Sequence, residues 1–91
     1  RRIEDFLVAQ CCFEECVVLG LPDPIMGEKV ACIYVAKHPP CNESHYRTLN
    51  QNLQTQLGRE FVVDVFFEVT ELPKNTNGKI DKLRLREQYR A

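Results

Sequence analysis

Gly78 and Lys79 end a polar loop that opens at Leu72-Pro73 and runs through Lys74, Asn75, Thr76 and Asn77. Proline, asparagine and glycine are turn formers, and Asn77-Gly78 favours a tight turn that presents the next side chain outward. A lysine on such a loop can reach into a neighbouring cleft and meet a phosphate or a carboxylate as a point charge. By itself the dipeptide is a weak signal, and an ordinary exposed lysine is the better reading of it. A phosphate-loop ATPase needs a glycine five residues before the second glycine, and Ser or Thr after the lysine. Those places hold Pro73 and Ile80, so that chemistry is excluded.

No metal site is expected. His38, Cys41 and His45 are close in sequence, but they flank Pro39-Pro40, lack an evident fourth ligand and do not match a zinc spacing. The five cysteines (Cys11, Cys12, Cys16, Cys32 and Cys41) are an odd count without a Cys-x-x-Cys pair. They read as free thiols in a reducing, cytoplasmic compartment.

The net charge is -1, but it is unevenly spread. Residues 1–73 carry 6 basic and 11 acidic side chains, and residues 74–91 carry 6 basic and 2 acidic ones. A basic end on an acidic body can meet an anion, or it can be a solvated helix face. A non-catalytic docking module with a basic C-terminal face is therefore one alternative. Nucleic acid is not expected as the partner, because the segment lacks interleaved aromatics apart from Tyr89 and carries no RNA-binding motif. No apolar run approaches the roughly 20 residues that span a bilayer.

The elements that position Lys79 follow from hydrophobic periodicity. Residues 3–10 carry apolar positions at helical spacing. Residues 16–21 form a short apolar run that fits a buried strand, which Pro22-Asp23-Pro24 should break. Gly27 suits a turn with positive φ, and residues 29–36 form a second strand. Ser44 is the expected N-cap of a helix whose Tyr46, Leu49, Leu53 and Leu57 share one face, with Gly58 as its C-cap. Residues 61–69 are a third strand, and residues 82–90 a last helix with Leu85 and Tyr89 four apart. The expected fold is α+β: a small three-stranded sheet packed with about three helices, one sheet face covered. With 91 residues there is room for one core and little room for a substrate cavity. The chain starts at Arg1-Arg2 rather than Met, and reads as a piece of something longer.

Three separated segments then fall in register with a known family. They are Ile3-Glu4 with Leu7 followed by Glu15-Cys16-Val17-Val18-Leu19-Gly20; Pro22-Asp23-x-x-x-Gly27-Glu28-x-Val30; and Leu72-Pro73 through Gly78-Lys79-Ile80-Asp81. In order and spacing the chain resembles, over nearly all of residues 1–91, the C-terminal mobile domain of the adenylate-forming superfamily. That superfamily includes acyl-CoA synthetases, adenylation domains of peptide synthetases, D-alanine carrier-protein ligases and luciferases. The chain departs from the pattern at Gln10-Cys11, where His-Pro is usual, and around Gly58 to Val63, where Tyr-Lys-x-Pro is usual.

The resemblance implies an enzyme domain with Lys79 as its catalytic residue, supported by Pro73 and Gly78 in its loop and by Gly27 and Glu28 in the turn before the second strand. It implies that Lys79 contacts the substrate carboxylate and the α-phosphate of ATP while an acyl-adenylate forms. It implies a large N-terminal adenylation domain as partner, which binds ATP, Mg and the carboxylic acid. It further implies a rotation of the small domain that brings another face, near Gly20 to Glu28, to a thiol. The thiol belongs either to CoA or to the phosphopantetheine of a carrier protein. Glu4 and Gly27 are expected to serve as capping or turn structure. Residues 1–91 alone are expected to be inactive. A degenerate adenylation domain kept for docking remains a further alternative.

Overall fold

The computed structural model describes residues 2–9, 13–25, 27–37 and 43–89. Along the chain run α1 (Arg2–Ala9), β1 (Phe13–Asp23), β2 (Gly27–Ala36), α2 (Glu43–Leu57), β3 (Val65–Glu68) and α3 (Lys82–Gln88). This is the expected order and the expected α+β class. The sheet order is β1-β2-β3, with β1 and β2 antiparallel and β2 and β3 parallel. A parallel pair needs a long crossover, and α2 supplies it. The α2 helix starts at Glu43, so Ser44 falls in its first turn rather than at its cap, and the Ser44 side chain lies outside the described residues. His38, Cys11, Cys12 and Cys41 also lie outside the described residues.

Two strand boundaries differ from expectation. Pro22 does not break β1: it pairs with Glu28, and Asp23 pairs with Gly27. The reason is position, since β1 is the edge of the sheet and a missing N–H costs no ladder bond on its open side. Gly27, at φ 83°, takes the positive φ expected of it. The third strand is shorter than expected, because the Asn50 side chain of α2 satisfies the backbone just before it. Asn50 Oδ1 accepts from the Val63 N–H at 2.9 Å, and Asn50 Nδ2 donates to the Val63 carbonyl at 2.9 Å. Val63 is buried, so Asn50→Leu should leave two backbone groups unpaired, at about 1–3 kcal/mol each. Urea unfolding would measure that loss.

Both faces of the sheet are covered, not one. Cys16, Val18, Val30, Cys32, Tyr34 and Phe66 face a first core with Leu7 of α1 and Leu49 and Leu53 of α2. Val17, Leu19, Ile33, Val35 and Phe67 face a second core with Leu72, Ile80, Leu85 and Tyr89. Successive strand residues point to opposite faces, which is how one run serves two cores. The unbroken apolar runs in β1 and β2 are the signature of a sheet buried on both sides.

Cys16 and Cys32 are buried, free thiols on the first-core face. A hydrogen bond with Cys16, and then burial, push the Cys32 thiol well above the usual thiol range. Cys32 should therefore resist thiol reagents at pH 8 until denaturant is added, as peptide mapping of the labelled protein would show. Because the thiol ionises at higher pH in the folded chain than in the unfolded one, it adds stability that depends on pH. The stabilisation is complete below the ionisation of the unfolded thiol, at about pH 8.5, and is lost progressively as the pH rises above it.

Candidate functional site

The Lys79 loop is suspended between two anchors in the second core, with Leu72 on one side and Ile80 and Leu85 on the other. Lys74 and Ile80 form an antiparallel bridge. The Asp81 N–H donates to the Pro73 carbonyl at 2.8 Å, and the Asn75 N–H donates to the Lys79 carbonyl at 2.8 Å. The Gly78 N–H donates to the Asn75 carbonyl at 3.0 Å, with Gly78 at φ 79°. This is the pattern of a three-residue hairpin loop closed by a turn and a glycine bulge. Only glycine takes that φ without strain, which explains the Gly before the Lys. The Asn75 Oδ1 accepts two more main-chain donors, Asn77 N–H at 2.9 Å and Lys79 N–H at 3.2 Å. Sequence reasoning passed over Asn75 in favour of Asn77-Gly78. The signal was there, since Asn side chains commonly bond the backbone two residues on.

Beyond the hairpin, Asp81 caps α3 through Oδ1, which accepts from the Arg84 N–H at 3.1 Å. The loop is thus fixed at both ends while its tip, residues 75–79, is exposed. The two loop lysines have different surroundings. Lys74 Nζ lies 3.3 Å from a Glu15 carboxylate oxygen. Among the described residues the Lys79 ammonium has no ion-pair partner. The hairpin therefore carries one tethered cation and one cation available to an anion from outside.

Pro73, Gly78 and Lys79 share one hairpin, and Pro73 lines a different cleft from Gly27 and Glu28. Pro73 borders an open groove of about 920 Å³ with Lys74, Arg84 and Tyr89. Gly27 and Glu28 line a separate cleft of about 620 Å³ with Gly20, Pro22, Leu83 and Arg86. Gly20 makes room there for Glu28, since a Cβ at residue 20 would sit 2.5 Å from the Glu28 carboxyl carbon. Leu83 and the hairpin residue Ile25 are large apolar side chains left in solvent at this end. Glu4 was expected in a cap or a turn and instead bridges two elements: its carboxylate accepts from the Val18 N–H at 2.7 Å and fastens α1 to the edge strand. His45, considered above beside His38 and Cys41, lies exposed on α2.

The chain is thus a small α+β domain whose three-stranded sheet is covered on both faces. Residues 2–79 match the AMP-binding enzyme C-terminal domain, and the chain belongs to that family. Long-chain-fatty-acid–CoA ligase FadD13 of Mycobacterium tuberculosis is 35% identical over 90 residues, which are 99% of this chain and 17% of the ligase. The fold is similar to acyl-CoA synthetase of Brucella canis, with TM-score 0.84 and 26% identity over 94% of this chain and 16% of that one. It is also similar to ATP-bound MatB of Rhodopseudomonas palustris, with TM-score 0.81 and 30% identity over 97% of this chain and 17% of that one. The chain spans less than a fifth of the length of these relatives. Among the described residues no helix is long and apolar enough to cross a membrane.

Proposed function

We propose that residues 1–91 are the C-terminal domain of an ATP-dependent acid–CoA ligase, and that Lys79 is the group they contribute to its chemistry. The observation that carries this reading is a Lys79 ammonium with no ion-pair partner among the described residues, on a hydrogen-bonded, exposed hairpin in a domain of this family. In the first half-reaction a carboxylate oxygen attacks the α-phosphorus of ATP, the bond to pyrophosphate breaks, and acyl-AMP forms. Two anionic groups must approach, and charge builds on the phosphoryl oxygens. A positioned cation in a closed, water-poor cleft offsets both effects. In the second half-reaction a thiol sulfur attacks the acyl carbon and AMP leaves.

The pockets for ATP, its Mg ion and the acid are assigned to a large N-terminal domain, in keeping with the open grooves found among the described residues. The small domain turns between the two half-reactions, a rigid-body switch. The cleft around Gly27, Glu28 and Leu83 is the face it then presents. CoA is favoured over a carrier-protein phosphopantetheine because the relative FadD13 is named a CoA ligase. A cytoplasmic location accords with ATP and CoA as reactants and with the free thiols at Cys16 and Cys32.

The test compares residues 1–91 with the full-length enzyme that carries them. The full-length enzyme should show carboxylate-dependent ATP–pyrophosphate exchange and should form acyl-CoA when CoA is added, while residues 1–91 should do neither. Turnover by residues 1–91 alone, or exchange indifferent to every carboxylate tried, would overturn the reading.

A further inference from the structure

We infer that Asn75 is the positioning residue for Lys79 during adenylate formation. This inference rests on the proposed role of Lys79. All four hydrogen bonds of Asn75 described above end within residues 75–79. Its N–H and carbonyl pair with the Lys79 carbonyl and the Gly78 N–H, and its Oδ1 receives the N–H groups of Asn77 and Lys79. Both side-chain partners are donors, so the atom facing them must be the oxygen and not the amide nitrogen.

No burial does this work. Every residue from Asn75 to Gly78 is exposed, as is Lys79, and neither core includes any of them. What distinguishes the tip from a solvated loop is its hydrogen bonding, and one side chain supplies two of those bonds. The bond to the Lys79 N–H acts on the residue that bears the cation, at the backbone from which its side chain leaves. Asn75 does not touch the reacting atoms and acts through Lys79. Displacement of a catalytic group by about 1 Å costs up to roughly 100-fold in rate.

The experiment uses the full-length enzyme with Asn75→Ala, Asn75→Asp and Lys79→Ala. Asn75→Ala should lower kcat for ATP–pyrophosphate exchange by about 10–100-fold. The KM values for ATP and acid should change little, and so should thioester formation from supplied acyl-adenylate. Amide exchange at Asn77 and Lys79 should accelerate in Asn75→Ala. Asn75→Asp keeps an oxygen acceptor for the same two donors and should recover most of both signals. Wild-type exchange in Asn75→Ala, equal loss in both half-reactions, or no recovery with Asp would overturn the inference. The Lys79→Ala arm separates the two claims. If it abolishes exchange while Asn75→Ala does not, only the role of Asn75 fails. If it leaves exchange intact, the proposed function fails and the Asn75 role with it.

Discussion

Lys79→Ala should lower carboxylate-dependent ATP–pyrophosphate exchange in the full-length enzyme by about 10²–10³-fold, the usual cost of one charge-stabilising donor at a transition state. The loss should appear without unfolding. Lys79 is exposed and lies outside both cores, so its side chain contributes little to stability. Lys79→Arg should not restore the rate. Arginine keeps the charge but offers a planar fork in place of a compact ammonium, and a cleft shaped for the smaller group places that charge differently. Lys74→Ala is the matched control five residues away. Lys74 is tethered to Glu15 at half-exposed positions, and such surface pairs contribute about 0–1 kcal/mol. Its loss should leave exchange close to the wild-type rate, so the same substitution at two lysines of one hairpin should have very different effects.

Leu85→Ala should be among the most damaging changes to the part of the fold that holds this hairpin. Leu85 is 1% exposed and joins α3 to Val17, Leu19, Ile33 and Leu72 in the second core. Truncating a buried leucine costs about 2–5 kcal/mol through lost transfer energy and the cavity left behind. That is a large share of the 5–15 kcal/mol that usually separates a folded domain from its unfolded chain. Among the described residues the second core has five buried members against eight in the first, so it has less with which to fill a void. The damage should be uneven. Hydrogen exchange should speed up in α3 and in residues 72–81 before it does so around Phe13, Tyr34 and Leu53. The Phe13 and Tyr34 rings stack at 4.0 Å in the first core and do not depend on α3. A uniform loss of protection would show that the two cores unfold as one.

The fold was legible where periodicity and punctuation agree. The face made by Tyr46, Leu49, Leu53 and Leu57 gave α2, Gly58 gave its end, and Gly27 gave the turn between β1 and β2. What escaped depended on partners distant in sequence. Nothing local tells that Pro22 lies on an edge strand, where it is harmless, or that Asn50 takes over the backbone of Val63 thirteen residues on. The covered second face was hinted at by the unbroken run from Cys16 to Leu19, but seeing it required knowing where α3 returns. At the candidate site, Gly78 and Lys79 stood out through turn chemistry and family register. Asn75 did not, because an asparagine in a polar loop is unremarkable until its oxygen is seen to hold two N–H groups. That Pro73 and Lys74 border one cleft while Gly27 and Glu28 border another was likewise a matter of tertiary placement.

The central claim is that Lys79 serves adenylate formation and not thiol transfer, and a single-turnover comparison of the two half-reactions in Lys79→Ala tests it most directly. One arm mixes enzyme with ATP and acid and quenches for acyl-AMP; the other supplies acyl-AMP and CoA and quenches for acyl-CoA. The account predicts a loss of about 10²–10³-fold in the first arm and a near wild-type rate in the second. An unimpaired first arm, or an equal loss in both, would contradict it.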